Sequence, residues 1–340
     1  SSSLQSLAQV ADVSQIIEDD DIDVDDSWES YRHKSCSTPH SPSRIERERH
    51  NLTRCPYRSW CRFCVMGRGR QTPHRRRPAT ITNDGAAIVH CDDGFLRRRD
   101  EKMTEQQIAL GEAQLLPVIV AVDSLSKFVL WSCVPTKGCE PFAKAKFSQY
   151  VSQLGHRHVF LKSDNESSLV ALKRTVKQQL QQHEHVRVSF TESPPGNSQS
   201  NGAAEQCVQV MQGLVRTLLA ALCSNLGHKV DSSSPALPWL IQYAAFIYNI
   251  SSIGSHDGRT PYKRLRNRKF ADTVLEFGEC VFYSFKQKSK LNSRFSVGVF
   301  RGVDDNGARL VATDGDIIST RTIKRRILDE RFDVDMFKKF

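Results

Sequence analysis

The feature that most constrains the fold is a series of apolar segments between residues 86 and 225. Three short runs rich in β-branched and aromatic residues predict strands, namely AAIVHCD, LPVIVAVD and KFVLWSCV. An amphipathic run over 142–155 predicts a helix that ends at Gly155. The sequence after it predicts a strand, a helix, a second strand and a second helix, in that order. Helices that alternate with strands after an opening meander indicate a mixed sheet with helices on its faces. The sequence therefore predicts an α/β fold.

The composition changes on both sides of this central region. Residues 1–43 are acidic and then rich in serine, proline and histidine, so we expect them to be mostly disordered. We predict a compact basic module over 44–80 and the α/β core over 84–268. Short strands separated by glycine or charged turns over 272–325 predict a small β-barrel, and 326–340 form a tail.

The charge of the chain permits a polyanionic partner, because the formal net charge is +10 and the pI is about 9.2. We expect no membrane partner, since no apolar run reaches the length of a membrane span and no secretory segment opens the sequence. The opening SSSLQ lacks a methionine, so we expect a piece of a longer protein. Five arginines in a stretch without acids suit phosphate contacts, with a solvated linker as the alternative: Arg68, Arg70, Arg75, Arg76 and Arg77.

Three carboxylates occupy informative places. Asp92 ends the first predicted strand, Asp164 ends the fourth, and Glu205 begins the helix that follows the loop SPPGNSQSNG. Acids at strand ends lie at the edge of a sheet, where α/β folds bind ligands. Three converging carboxylates repel one another unless cations lie between them, and Mg²⁺ prefers such oxygen ligands. Taken singly, the aspartates also suit turns and the glutamate suits a helix N-terminus.

These segments resemble the integrases of retroviruses and long-terminal-repeat retrotransposons, most closely the copia-type elements. IVHCDDGF and LKSDNESS are similar to the family's two aspartate strands, and SPPGNSQSNGAAEQ to the loop before its catalytic glutamate. HDGRTPYKRL is similar to the segment after the family's core, and FGECVFYSF to the start of its C-terminal barrel. The resemblance covers roughly residues 50–325.

The resemblance implies a ribonuclease-H-like core, with a mixed five-stranded sheet and flanking helices, and a small SH3-like C-terminal barrel. It implies an Asp-Asp-Glu triad on Asp92, Asp164 and Glu205 that binds two Mg²⁺ or Mn²⁺ ions. It also implies that the loop at Asn201 and Gly202 bends around DNA while the following helix holds the glutamate.

The sequence departs from the family's pattern in three places. An insertion at 95–114 lengthens the interval between Asp92 and Asp164, and the interval to Glu205 is also long. Glu166 stands where the family usually has glycine, so it is either an extra carboxylate or an unrelated one. Asp93 adjoins Asp92, but neighbouring side chains of a strand point to opposite faces. The register of the motif favours Asp92.

The family also has an N-terminal zinc module with two histidines and two cysteines. Cys61 and Cys64 have the two-residue spacer that suits tetrahedral zinc. We predict that His50 and His74 complete the site, in an order that differs from the family's. A pair of buried cysteines without zinc is the alternative. Other candidate ligands are His40 and Cys55.

The implied function is that of a retrotransposon integrase, which trims the 3′ ends of the element's DNA and joins them to target DNA. The implied partners are the element ends, target DNA and further copies of the chain. The implied localisation is a cytoplasmic particle and then the nucleus. A metal-dependent nuclease and a decayed integrase that only binds nucleic acid are the competing interpretations. Further candidates for contact with the DNA backbone, or for a solvated helix face, are Lys137, Lys162, Lys173 and Arg174.

Overall fold

The structure of the chain is a computed structural model. It has two compact units, residues 1–40 and 41–340, and every helix and strand named below lies in the second. The predicted disorder of residues 1–37 and most of the predicted insertion at 95–114 lie outside the described residues. Those residues are 38–69, 87–96, 116–164, 166–183, 186–192, 202–231, 233–254, 257–285 and 293–340.

The central sheet has five strands: β1 Ala87–Leu96, β2 Leu116–Asp123, β3 Val129–Cys133, β4 His158–Ser163 and β5 Arg187–Glu192. Their order across the sheet is β3-β2-β1-β4-β5. β2 pairs antiparallel with β1 and β3, whereas β4 pairs parallel with β1 and β5. The predicted mixed five-stranded sheet is therefore confirmed. The ribonuclease-H-like fold stays a prediction.

The described residues before and around this sheet form the helices α1 Arg44–Thr53, α2 Arg62–Arg68, α3 Pro141–Leu154, α4 Ser167–His183, α5 Gly202–Leu226, α6 Leu237–Ser251 and α7 Pro261–Arg266. The bounds of α3 show why the sequence predicts it well. The Glu140 side chain accepts hydrogen bonds from the first backbone N–H groups of α3, and Pro141 takes the first helical position. Gly155 ends the helix with φ at 69°, a left-handed conformation that favours glycine.

The two faces of the sheet have separate cores. On β2, Val118, Val120 and Val122 pack with α5 and α6, while Ile119 and Ala121 pack with α3 and α4. This follows from the twofold alternation of a strand that is buried on both faces. The same alternation assigns every other residue of the sheet to one face or the other.

α5 is the helix that begins with the predicted catalytic glutamate. It has 25 residues and is long and apolar enough, by length and hydropathy, to cross a membrane. The expectation that no segment has that length is therefore wrong. Met211, Leu214 and Leu218 of α5 are buried in the core shared with β2 and α6. This internal packing accounts for the apolar composition of the helix.

α2 contacts α5 where both helices carry glycine. A Cβ atom on Gly67 would lie 2.8 Å from the backbone nitrogen of Thr217, and one on Gly213 would lie 2.9 Å from Arg68 Cγ. Thr217 is fully buried and donates a hydrogen bond of 2.9 Å to the Gly213 carbonyl. The close approach attaches the N-terminal segment to the helix that begins with Glu205.

Gly67→Ala should therefore lower the free energy of unfolding by about 1–3 kcal/mol, since the new methyl group meets the backbone of α5. The measurement is chemical denaturation followed by circular dichroism. Gly202→Ala is the control, because a Cβ atom there meets nothing within 4 Å. Equal midpoints for the two variants would contradict the close packing of α2 on α5.

A second sheet lies in the C-terminal part of the chain: β6 Cys280–Ser284, β7 Phe295–Val303, β8 Arg309–Ala312, β9 Ile317–Thr320 and β10 Ile323–Arg325. It is antiparallel throughout, with the order β10-β6-β7-β8-β9. The short strands predicted after residue 272 are thus present. Closure of the sheet into an SH3-like barrel stays a prediction.

The end of the chain also joins this part of the fold. Val334–Lys339 form α8, within the segment predicted as a tail, and Phe337 of α8 is buried. The guanidinium of the buried Arg301 lies 4.3 Å from the centre of the Phe337 ring. Tyr243 of α6 contacts Phe300 of β7 edge-on, with ring centres 5.7 Å apart. The C-terminal sheet therefore shares a core with the helices α5 and α6.

Candidate active site and metal centre

Asp92 lies inside β1 and not at its end, which corrects the expectation from the sequence. The strand continues to Leu96 because its antiparallel pairing with β2 continues to the pair Leu96 and Leu116. The parallel pairing of β1 with β4 ends earlier, at His90 and Lys162. Asp92 therefore lies two residues beyond the β1–β4 ladder, where one neighbour of β1 has ended.

Asp92 and Asp164 lie on the same face of the sheet. Asp92 is the cross-strand partner of Val120, which packs with α5 and α6. On β4, Leu161 belongs to the opposite core, so the alternation directs Asp164 to the face of α5 and α6. Extending the register of His90 and Lys162 by two residues places Asp92 beside Asp164.

The environment of Asp92 disfavours its charged form. Burial raises the pKa of Asp92 to about 6, and the negative charge of Asp164 also raises it. The backbone N–H of Asp93 donates a hydrogen bond of 2.9 Å to Asp92 Oδ1, and this contact and Lys137 act in the opposite direction. A cation between the two carboxylates would relieve this repulsion.

Asp93 points to the other face, as the sequence predicts. Its cross-strand partner is Ile119, which belongs to the core of α3 and α4. Lys137 Nζ lies 3.0 Å from Asp93 Oδ1 and 3.1 Å from a carboxylate oxygen of Glu166. Ser168 at the start of α4 donates a hydrogen bond of 3.1 Å to Asp93 Oδ2. Glu166 is thus engaged in an ion pair with Lys137, and these contacts connect the segment that carries Asp92 to the segment that carries Asp164.

The sequence did not predict the contacts of Lys137 in this network, because Lys137 was a candidate either for contact with the DNA backbone or for a solvated position. Its only local signal is a lysine beside glycine in the segment after β3, and nothing there indicates Asp93 as a partner. Lys173 also departs from expectation. It is buried, and its ammonium lies 5.5 Å from the Phe190 ring, so it is neither a solvated residue nor available to DNA.

Glu205 lies in the first turn of α5 and is exposed. α5 packs against β1 and β2, so Glu205 belongs to the helix that covers the face of Asp92. Gly202 is the first residue of α5, and Asn201 lies outside the described residues. In the described ranges, only His50, Cys61 and Cys64 form a group of three potential metal ligands whose donor atoms all lie within 4.8 Å of one another. The three predicted catalytic carboxylates do not form such a group.

The His50, Cys61 and Cys64 cluster joins α1 to α2. All three side chains are buried, and His50 Nε2 lies 3.2 Å from Cys64 Sγ. Cys61 is the N-cap of α2, so Cys64 follows one helical turn later on the same side. The Trp60 ring packs edge-on against His50 with ring centres 4.9 Å apart. Nitrogen and sulphur donors in this arrangement fit zinc.

Two arginines lie beside the thiols, and the spacing of Cys61 and Cys64 in the sequence does not predict them. Arg54 is buried and its Nη1 lies 4.0 Å from Cys61 Sγ, while Arg68 Nη2 lies 3.1 Å from Cys64 Sγ. Arg68 Nη2 also donates to the Arg54 carbonyl. The hydrogen bond between the two thiols lowers the pKa of Cys61 to about 3 and raises the pKa of Cys64. The first thiolate therefore forms readily, as a zinc ligand must.

Several predicted residues cannot be placed. His74, the predicted fourth zinc ligand, lies outside the described residues, as do four of the five arginines predicted to contact DNA: Arg70, Arg75, Arg76 and Arg77. Arg68, the fifth, makes the internal contacts given above. Its contact with DNA stays a prediction.

Comparisons with known proteins found no matching family model and no matching curated protein. Solved structures do match. The catalytic core of HTLV-2 integrase in complex with magnesium is 18% identical, covers 52% of this chain and 95% of its own, and has a TM-score of 0.34. The catalytic core of BIV integrase is 18% identical, covers 54% of this chain and 95% of its own, and has a TM-score of 0.35.

A chain of the simian T-cell lymphotropic virus intasome, solved with PP2A regulatory subunit B56 gamma, covers more of the sequence. It is 15% identical, covers 71% of this chain and 81% of its own, and has a TM-score of 0.34. These identities and TM-scores are too low to place the chain in a family.

Proposed function

We propose that the chain is the integrase region of a retrotransposon polyprotein of the copia type. Its activity is polynucleotidyl transfer: trimming of the element's DNA 3′ ends, then joining of those ends to target DNA. The proposal is supported by the pairing of β1 with β4, whose register extended by two residues brings Asp92 next to Asp164. It is also supported by the pKa of Asp92, which the charge of Asp164 raises in addition to burial. Glu205 lies in the first turn of α5 and completes the catalytic triad.

In this proposal the three carboxylates hold two Mg²⁺ or Mn²⁺ ions, Asp92 and Asp164 sharing one and Asp92 and Glu205 the other. Bound ions of this kind activate an attacking hydroxyl and stabilise the leaving oxygen of a phosphodiester. The protein supplies no nucleophile, since orienting the DNA and stabilising charge are sufficient for phosphoryl transfer.

The proposal also includes the binding partners of the chain and its localisation in the cell. The two DNA partners are the element ends and the target, and homo-oligomers assemble on them. The chain acts in the nucleus after residence in a cytoplasmic particle. Domain boundaries at 44–80, 84–268 and 272–325 accompany this proposal, with His50, Cys61, Cys64 and His74 as the zinc ligands of the first domain.

The experiment is a joining assay with Mg²⁺ or Mn²⁺ and labelled duplexes whose terminal sequences are randomised, because the element's own ends are unknown. Half of the duplexes end in a 3′ hydroxyl and half in a dideoxynucleotide. We expect joined products that require the metal ion and that disappear with Asp164→Asn. Trimming of a dideoxy terminus exposes a new 3′ hydroxyl, so joining of the dideoxy duplexes should occur only together with release of their terminal nucleotides.

Two other outcomes would overturn the proposal in favour of a competitor. Metal-dependent cleavage of the duplexes without any joined product identifies a nuclease that uses water as its only nucleophile. Binding of the duplexes by folded protein, without any joined or cleaved product, identifies a decayed integrase that retains only nucleic-acid binding.

A further inference from the structure

A cavity of about 530 Å³ lies beside β3, the edge strand of the central sheet. Its walls come from β3, α3, α6, α7 with the segment after it, and the turn between β7 and β8. None of Asp92, Asp164 and Glu205 lines it. Its volume falls in the range of about 300–1,000 Å³ that is usual for small-molecule sites.

The acidic groups of the cavity wall already have protein partners. Asp272 forms an ion pair with Arg309, and Asp305 forms one of 2.9 Å with Lys146. Asp304 accepts hydrogen bonds of 2.9 Å from two backbone N–H groups of its own turn. The negative charge of the wall is therefore compensated within the fold.

The cations at the rim are not compensated in this way. Arg266, Arg268 and Lys269 line the cavity and are exposed, and none of them makes a hydrogen bond or an ion pair with a described residue. Three uncompensated positive charges at one opening favour an anionic ligand. Guanidinium groups in particular match the geometry of a phosphate.

Aromatic rings form part of the wall behind these cations. Phe246 and Tyr262 each contact Phe270 edge-on, with ring centres 5.4 Å and 5.5 Å apart, and Phe128 lies on the strand side. All four rings are half-buried, so aromatic surface borders the cavity. Stacking of a nucleic-acid base on such surface contributes about 1–3 kcal/mol per base.

Three glutamine side chains also line the cavity: Gln149, Gln153 and Gln242. None of them makes a hydrogen bond to another described residue. Each carries an acceptor oxygen and a donor NH₂ group, which is the combination that recognises base edges. The wall thus offers aromatic surface, base-edge partners and phosphate partners together.

We propose that this cavity binds a nucleotide, with its base among the aromatic rings and carboxamides and its phosphate at Arg266, Arg268 and Lys269. The nucleotide is either free or an unpaired residue of a single strand, since both present the same base and phosphate. The site is separate from the catalytic carboxylates and goes beyond the proposed function.

The experiment measures binding of a fluorescent, unstructured single-stranded DNA of eight nucleotides by anisotropy, in EDTA, so that catalysis plays no part. The test variant is Arg266→Ala with Arg268→Ala and Lys269→Ala. The control removes three exposed cations elsewhere, through Arg321→Ala with Lys324→Ala and Lys338→Ala. We expect the test variant to weaken binding by about tenfold or more, and the control by much less, because phosphate contacts and not net charge are lost.

A second variant separates the cavity from its charged rim. Gln153→Trp fills the cavity without any change of charge, and we expect the same loss of binding with an unchanged melting temperature. Displacement of the strand by AMP or dTMP identifies a site for free nucleotides, and lack of displacement identifies a site for unpaired residues of a strand. Equal weakening by the test and control triples, or full binding by Gln153→Trp, would overturn the proposal. The assay does not measure strand transfer, so the proposed nucleotide site and the proposed integrase activity can each fail independently of the other.

Discussion

Asp92→Asn should lower the rate of metal-dependent strand transfer by roughly a thousandfold, which corresponds to about 4 kcal/mol of lost transition-state stabilisation. In the proposed site Asp92 is the only residue that contacts both metal ions, and an amide is a much weaker ligand for Mg²⁺ than a carboxylate. The measurement is the initial rate of joining at saturating Mg²⁺ and again at saturating Mn²⁺.

Asp93→Asn is the matched control, because it makes the same chemical change one residue away on the opposite face of β1. It weakens the ion pair with Lys137, so we expect a slower enzyme, but only within about tenfold of the wild type, as for a contact that positions other residues. A larger loss from Asp93→Asn than from Asp92→Asn would assign the first catalytic carboxylate to Asp93 instead.

A melting experiment in EDTA distinguishes catalytic loss from misfolding. The pKa of Asp92 is raised to about 6 by burial and by Asp164, above the ordinary value for an aspartate. At neutral pH the charge on Asp92 therefore destabilises the folded state. This destabilisation decreases as the pH falls below about 6 and is lost at about pH 4, the ordinary pKa of an aspartate. Asp92→Asn removes that charge, so we expect this inactive variant to melt above the wild type at pH 7.5.

The sequence predicts the central sheet well because each element has a strong local signal. β2 is a continuous apolar run, and α3 begins at Glu140 and Pro141 and ends at Gly155. Local signals of this kind depend on residues close in the chain. The order of strands then follows from the few topologies that such a series of elements permits.

The contacts that the sequence did not predict join distant parts of the chain. Gly67 meets Thr217, and Lys137 meets Asp93 and Glu166, across intervals with no periodic pattern. Phe337 is buried although its short helix resembles a charged tail. Such contacts form when complete helices and strands pack together. The composition and spacing of residues in the sequence therefore do not predict them.

The position of Asp92 shows the same limit within one motif. IVHCD has the composition of a strand that ends in an acid, yet β1 continues to Leu96 because β2 remains paired with it. The prediction that Asp92 and Asp93 point to opposite faces of the sheet is still correct, because the alternation of side chains along a strand does not depend on where the strand ends. Alternation places the two aspartates on opposite faces, and the preference for Asp92 comes from the register of the motif.

Loss of the proposed zinc ion should unfold the N-terminal segment, which is the second large effect that we expect. Structural zinc contributes an apparent ~10–16 kcal/mol to the folding of small metal-binding domains. α1 and α2 are short, and the His50, Cys61 and Cys64 cluster is the buried contact between them. We expect about one zinc ion per chain in the purified protein by plasma mass spectrometry.

Cys64→Ala should abolish this zinc binding and expose the arginines of α1 and α2 to trypsin, with cleavage between residues 44 and 68 detected by intact-mass spectrometry. Cys55→Ala is the matched control, because Cys55 is also buried but lies outside the three-ligand group. It should retain zinc and resist trypsin. His74→Ala tests the predicted fourth ligand, and we expect it to weaken zinc affinity without exposing α2 when zinc is in excess. Zinc-free wild-type protein that resists trypsin would show instead that Arg54, Arg68 and the buried thiols hold the segment together without a metal ion.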